Sequence, residues 1–240
     1  MDERNISIFF MTEAHAILFD FDGVLADTMM ENFGAWNHAL SYHGAAIASD
    51  DFFVLEGMPV ARMAAEICGI TKVDPLHSPD LLRRKEEYYM AHRSFRLYPG
   101  VEDLITLLAS QDIPMGIVSG GRYSRIAASA PSDFLAQFKA IVTGEHTTRG
   151  KPFPDPYLEG ARQLGVDPTY CIVVENAPLG IMAAKAAGMH CIAICSTVSQ
   201  DKLGDAHEVV GAFGDLSQLE SIVSIKNPSR SFLKHNSVET

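Results

Sequence analysis

The residues best suited to chemistry lie in Asp20-Phe21-Asp22-Gly23, directly after the apolar run AHAILF. Two carboxylates two residues apart at the carboxyl end of a buried strand are costly unless a cation or a reaction uses them. An acidic turn closing the strand is the plain alternative. Three later segments weigh against it. Ser119 closes an apolar run in IVSGG, Lys151 stands in GKPFPDPY, and Glu175 with Asn176 closes another run in CIVVENAPLG. Singly each signal is weak: a Ser after a strand is usually a turn or cap, a lone Lys is usually solvated, and an acid at a strand end is often a helix N-cap. All of them fall at the ends of candidate strands, and the carboxyl edge of a parallel sheet is where open α/β folds hold their ligands.

The elements that must position these residues can be read from periodicity. Short apolar runs at Ala14 to Phe19, Ile113 to Val118, Ala140 to Thr143, Cys171 to Val174 and Cys191 to Cys195 alternate with helix-sized segments. This is the pattern of βαβ units around a parallel sheet buried on both faces, here an α/β, doubly wound, Rossmann-like core. Residues 28–93 carry no convincing strand and three helical periodicities, as an inserted helical cap would. Phe33, Trp36 and Leu40 recur on one face with Gly44 as a stop; Val60, Met63, Ala64 and Ile67 repeat with Gly69 following. The segment Asp80 to Arg93 pairs Leu81 and Leu82 with Tyr88 and Tyr89, and its RRKEE charges read as a solvated helix face. The boundaries that follow are 14–27 and 94–226 for the core, 28–93 for the cap, and 1–13 and 227–240 for terminal extensions.

Composition narrows the function classes. At 47% hydrophobic and 20% charged residues, with 18 Gly and 12 Pro, the 240-residue chain is a globular one. Thirty acids against 19 bases give a net charge of −11, which repels nucleic-acid phosphates. The start MDERNISIFFM is too short and wrongly flanked for a secretory signal, and no run reaches a membrane span, so a cytoplasmic protein is expected. Cys191 and Cys195 would lie about 13 Å apart on one strand, beyond disulfide reach, and all four cysteines read as reduced. The segment Gly144 to Lys151 fails as a P-loop: its glycines are one residue too far apart and Pro152 stands where Ser or Thr must meet the metal. The histidines form no metal-ligand cluster, and His146 alone is placed near the mouth of the site.

Taken together, Asp20-x-Asp22-Gly23, Ser119, Lys151 and Glu175-Asn176 resemble the motifs of the haloacid dehalogenase-like superfamily over roughly residues 14 to 220. The point of insertion resembles the helical-cap subgroup, and within it the branch of β-phosphoglucomutases and small sugar-phosphate phosphatases. The resemblance implies a phosphatase acting on a small phosphorylated metabolite through an aspartyl-phosphate intermediate. It implies Asp20 as nucleophile and Asp22 as general acid and then base. Lys151 would balance charge, and Ser119 with the N–H groups of Gly120 and Gly121 would bind the phosphoryl oxygens. Mg²⁺ would be held by Asp20, the Asp22 carbonyl, Glu175 and Asn176.

One departure from the family pattern is Asn176, where many relatives carry a second acid; the site then has one negative charge fewer. A second lies in the cap, where Glu56 and Val60 stand at the positions of mutase cations and Asn32 at that of a mutase His. Their loss favours hydrolysis over mutase chemistry. Arg62, expected to bind substrate phosphate, or Arg93 or Arg96, would serve a mutase as substitutes. A phosphate-binding protein without catalysis is the reading from another class.

Overall fold

The computed structural model describes residues 14–211. The expected extensions 1–13 and 227–240, and residues 212–226 of the expected core, lie outside the described residues. Strand β1 (Ala16–Phe19) leads into a helical excursion of α1 (Met29–Ser41), α2 (Ser49–Phe53), α3 (Val60–Thr71) and α4 (Ser78–His92). The chain returns through α5 (Val101–Ser110) to β2 (Met115–Val118), α6 (Tyr123–Ser129), α7 (Ser132–Leu135) and β3 (Ala140–Val142). It closes with α8 (Asp155–Leu164), β4 (Cys171–Glu175), α9 (Pro178–Ala186), β5 (His190–Ile194) and β6 (Glu208–Val210).

The six strands pair in the order β3-β2-β1-β4-β5-β6, all parallel. The chain winds outward from β1 to β3 and then crosses to β4 on the other side of β1. This reversal opens a crevice beyond the carboxyl ends of β1 and β4. Alternate residues of β1 serve opposite faces: Ile17 and Phe19 pack with α5 residues such as Leu104 and Leu108, whereas Ala16 and Leu18 pack with Tyr157 of α8 and Ile181 of α9. Both faces are covered, so the strand reads as a continuous apolar run and not an alternating one. A third apolar cluster, with Trp36, Phe52, Ile67 and Leu81, sits within the inserted helices. Entry and exit of the insertion run side by side, with Asp27 N–H donating to the Arg96 carbonyl at 2.9 Å and Tyr98 N–H to that of Leu25 at 3.2 Å.

Some sequence expectations change. Gly69 lies inside α3, which runs to Thr71 and ends where Lys72 turns left-handed at φ 58°. The short α2 and the edge strand β6 were not anticipated. The RRKEE run is solvated only in part, because Lys85 is 3% exposed and faces inward. All four cysteines are free thiols, and among the described residues no helix is long and apolar enough to cross a membrane.

Candidate active site

Strand β1 delivers Asp20 to the crevice still in sheet register, its N–H bonded to the Val174 carbonyl at 3.0 Å. The side chain is buried, and Lys151 reaches it from the loop before α8. The three protons of the Lys151 ammonium go to Asp20 Oδ1 (2.5 Å), Glu175 Oε1 (2.6 Å) and the Val118 carbonyl (3.1 Å). Glu175, closing β4, also accepts from the Tyr157 hydroxyl at 2.6 Å and, through Oε2, from the N–H groups of Asn176 and Ala177. Four donors fill the lone-pair sites of that carboxylate. Glu175 therefore anchors Lys151, and the expected direct metal contact finds no free oxygen on it.

One ammonium between two buried carboxylates cannot neutralise both. Burial pushes the Asp20 carboxyl up to about 7 against the pull of Lys151, with the Glu175 charge adding to the rise. Lys151 itself stays firmly charged: burial opposes this, but Asp20 and Glu175 together hold its proton.

Asp22 is surrounded differently. Arg125 of α6 grips it with both terminal nitrogens, Nη1 donating to Oδ1 at 2.8 Å and Nη2 to Oδ2. The Thr28 hydroxyl donates to Oδ1 at 2.5 Å, and the Asn32 amide approaches more loosely at 3.5 Å. Burial pushes this carboxyl up, but the Arg125 charge and the hydrogen bonds outweigh it and hold the group below its ordinary value.

Ser119 follows β2, buried, with its Oγ accepting from Gly121 N–H at 3.1 Å. Asp20, Asp22, Ser119, Gly120 and Gly121 all line one cleft. The inserted helices roof it with Met29, Trp36, Phe52 and Met63, and Lys85 of α4 adds a cation to that roof. Lys85 pairs with Glu86 at 3.0 Å and lies 5.0 Å from the Tyr89 ring centre. Burial and the neighbouring Arg125 charge push its proton affinity down.

The loop between α2 and α3 lines the cleft beside the Asp20–Lys151 pair. Gly57, at φ +79°, has no Cβ to collide with the Lys151 side chain, which would stand 3.0 Å from it; a Cβ on Gly120 would lie 2.8 Å from the Gly57 carbonyl oxygen. This close approach seats Glu56 against the end of β4. Its Oε2 accepts from the Asn176 amide at 2.6 Å and from the Thr197 hydroxyl at 3.0 Å. Burial pushes the Glu56 carboxyl well above its ordinary value.

Several expected residues are elsewhere. Arg62 projects from the outer face of α3, half exposed, with Glu66 at 3.8 Å, because the inner face is taken by Met63, Ala64 and Ile67. Arg96 pairs with Asp27 and Glu31 outside the cleft, and Arg93 donates to the Ala128 and Met90 carbonyls. His146 is not at the mouth: its Nδ1 accepts from Thr143 N–H at 3.0 Å, closing its own turn. Sequence reasoning missed Arg125 and Lys85. For Lys85 a signal existed, since Leu81, Lys85 and Tyr89 recur every four residues along one buried stripe.

The donors available to a metal are oxygens: the Asp20 carboxylate, the Asp22 main-chain carbonyl and the Asn176 amide oxygen. The last is fully buried and has no hydrogen-bond partner among the described residues. An all-oxygen set suits a hard cation such as Mg²⁺, and the negative excess around Lys151 calls for one. Among the described residues no group of three His, Cys, Asp or Glu side chains forms a metal cluster, so the fit depends on the carbonyl and the amide.

Comparison with known proteins gives the family of the chain. The family model described as haloacid dehalogenase-like hydrolase matches residues 17–194. The chain is 30% identical to hexitol phosphatase A of Escherichia coli (strain K12) over 212 residues, covering 88% of this chain and 94% of that protein. It is 34% identical to the fructose-1-phosphate phosphatase YqaB of the same organism, covering 76% and 97%. Among solved structures, the β-phosphoglucomutase of Clostridium difficile superposes with a TM-score of 0.76 at 26% identity, covering 90% of this chain and 98% of that one. The chain is an enzyme and belongs to the haloacid dehalogenase-like hydrolase family.

Proposed function

We propose that the chain is a Mg²⁺-dependent phosphatase that hydrolyses a small phosphate monoester, of the sugar- or polyol-phosphate type, through an aspartyl-phosphate. The observation that carries this reading is Asp20 at the carboxyl end of β1, held by Lys151 and sharing the cleft with Asp22 and Ser119. Asp20 attacks phosphorus as the ester P–O bond breaks, and the leaving oxygen takes a proton from Asp22. Water then attacks the acyl-phosphate; Asp22 accepts a proton from it, Asp20 is regenerated and inorganic phosphate leaves. Lys151, Ser119 and the glycine N–H groups balance the phosphoryl charge. Bound Mg²⁺ would neutralise phosphoryl oxygens and hold attack in line. Arg125 keeps Asp22 ionised, which is its base form, so protonated Asp22 requires that grip to loosen.

The apolar roof and the buried Lys85 suit a compact polyol or sugar portion with a polar far end. Two of the relatives named above are, by name, phosphatases of such esters, hexitol phosphatase A and the fructose-1-phosphate phosphatase YqaB, which supports the same substrate class. Mutase chemistry is the second reading, favoured by Lys85 and Arg125, two buried cations that could meet a second phosphate. Both already have carboxylate partners, Glu86 and Asp22, which is why hydrolysis is preferred. The test is to incubate the protein and Mg²⁺ with hexitol phosphates, fructose 1-phosphate and glucose 1-phosphate. Release of inorganic phosphate in step with substrate loss is expected; an isomeric sugar phosphate with little free phosphate would establish the mutase instead.

A further inference from the structure

Glu56 is a residue that the phosphatase reading leaves without a task. It sits 2% exposed in the loop between α2 and α3, next to the close approach of the Gly57 and Gly120 backbones. One of its oxygens, Oε2, is fixed by Asn176 and Thr197; the other, Oε1, is buried with no hydrogen-bond partner among the described residues. Asn176 shows the same division. Its Nδ2 donates to Glu56 and Thr197, and its Oδ1 is buried and unpartnered. Two side chains joined by a 2.6 Å hydrogen bond thus each retain an unsatisfied oxygen beside the nucleophile. Buried acceptors of this kind are satisfied by a donor or a cation.

The charge count favours the cation. With Glu56 ionised, three carboxylates (Asp20, Glu56 and Glu175) share one region with a single ammonium, that of Lys151, an excess of two negative charges that adds to burial in disfavouring the ionised Glu56 until a cation enters. With Asn176 in place of an acid, Asp20 and Glu175 alone would leave one. The cap therefore carries the carboxylate that the end of β4 lacks.

We propose that Glu56 is a ligand of the divalent cation, contributed by the cap, so that the cation is held between core and cap and its binding draws the two together. The identity of the cation as Mg²⁺ rests on the phosphatase reading; the part played by Glu56 does not depend on turnover. A hydroxyl of the substrate donating to Oε1 is the rival occupant, and it makes a different forecast for cation binding in the absence of substrate.

The test is calorimetric titration of MgCl₂ into the full chain with no phosphate ester present. E56Q keeps the side-chain shape and an acceptor for Asn176 while removing the charge, and is expected to weaken Mg²⁺ by about 10- to 100-fold, a loss that even outer-shell partners of metals cause. The charge-exchanged double variant E56Q/N176D, in which an amide on the cap faces a carboxylate on the core, is expected to regain near-wild-type affinity. Unchanged affinity in E56Q overturns the proposal and points to the substrate hydroxyl. A double variant as weak as E56Q also overturns it, since the loss would then come from disturbed packing and not from charge. If no phosphate ester is turned over but the titrations follow the expected order, the phosphatase reading fails and the cation site stands.

Discussion

Asp20 and Asp22 are two residues apart in one short turn, yet they belong to differently built regions. The hydrogen-bond network that holds Asp20 is built from core elements: β1, the end of β4, the Lys151 loop and Tyr157 of α8. Asp22 is held by Arg125 of the core, by Thr28, and loosely by Asn32 of α1, the first helix of the insertion. Burial, with the Glu175 charge adding to it, pushes the first carboxylate up; burial acts on the second as well, but a guanidinium outweighs it and the group is pushed down. The difference separates two tasks. Asp20, the proposed nucleophile, is set by a sheet buried on both faces, whose packing leaves little room to move. Asp22, the proposed proton-handling group, has partners on both sides of the junction of core and insertion, so movement of the helices changes its hydrogen bonds and leaves the Asp20–Lys151–Glu175 network intact.

Asp20→Asn tests this contrast most severely. An amide cannot form the acyl-phosphate, and turnover is expected to fall by about 10⁴-fold or more, as when other enzymes lose a nucleophile. The same variant carries a stability signature. Asp20 ionises near its ordinary 3.8 in the unfolded chain but at about 7 when folded. The stability this group lends is full below about pH 4 and is lost as the pH climbs through about 7, where the folded state must hold the bare charge. Asp22, shifted the other way, contributes above its ordinary value and loses that contribution in acid. Melting temperatures of the metal-free protein from pH 5 to 8 should fall with a slope that Asp20→Asn flattens and saturating Mg²⁺ reduces. An unchanged slope in the variant would place the titrating group elsewhere.

The same contrast explains what the sequence made legible. Asp20, Ser119, Lys151 and Glu175 could be found because each follows a buried apolar run or the loop after one, and parallel strands place such ends on one edge. The five core strands were visible to within two residues for the same reason. Strand β6 was not, since only Val210 of its three residues is buried and an edge strand has a weak apolar signal. Arg125 stands in a short helix with no periodicity to mark it, and its partner lies 103 positions away. Lys85 was hidden in a run of charges, where its inward place shows only from the stripe it shares with Leu81 and Tyr89. A pairing such as Arg125 with Asp22 is a tertiary fact, and no local pattern encodes it.

A smaller effect is expected from Arg125→Gln. Removing one partner of a buried ion pair leaves Asp22 desolvated without compensation, which costs about 3 kcal/mol of stability at neutral pH. The Asp22 carboxyl then rises, and the acid limb of kcat/KM moves to higher pH, whereas the wild-type limb owes nothing to Asp22 near neutrality. Turnover should fall less than the roughly 10²- to 10⁴-fold that a general acid–base residue commands, because Asp22 remains. The pH profile is the decisive readout. A destabilised variant with an unmoved acid limb would make Arg125 a packing residue and remove the electrostatic half of the comparison.

The smallest effect belongs to Arg62→Ala, which asks whether a cation on the roof matters by its presence or by the face it occupies. Arg62 and Lys85 are both carried by inserted helices, but Lys85 is buried in the cleft and Arg62 stands half exposed on the far side of α3. Its ion pair with Glu66, at 3.8 Å and open to solvent on both sides, is of the kind that contributes about 0.3 to 0.5 kcal/mol, and the order Arg before Glu is the poorer one on a helix. Arg62→Ala should therefore leave KM for any accepted phosphate ester unchanged and shift stability by no more than about 0.5 kcal/mol. Lys85→Met, by contrast, should raise KM if the far end of the substrate is polar. A rise in KM from Arg62→Ala equal to that from Lys85→Met would require α3 to turn its outer face to the cleft during binding, and the roof would then have to be redrawn with Met63 and Ile67 facing solvent.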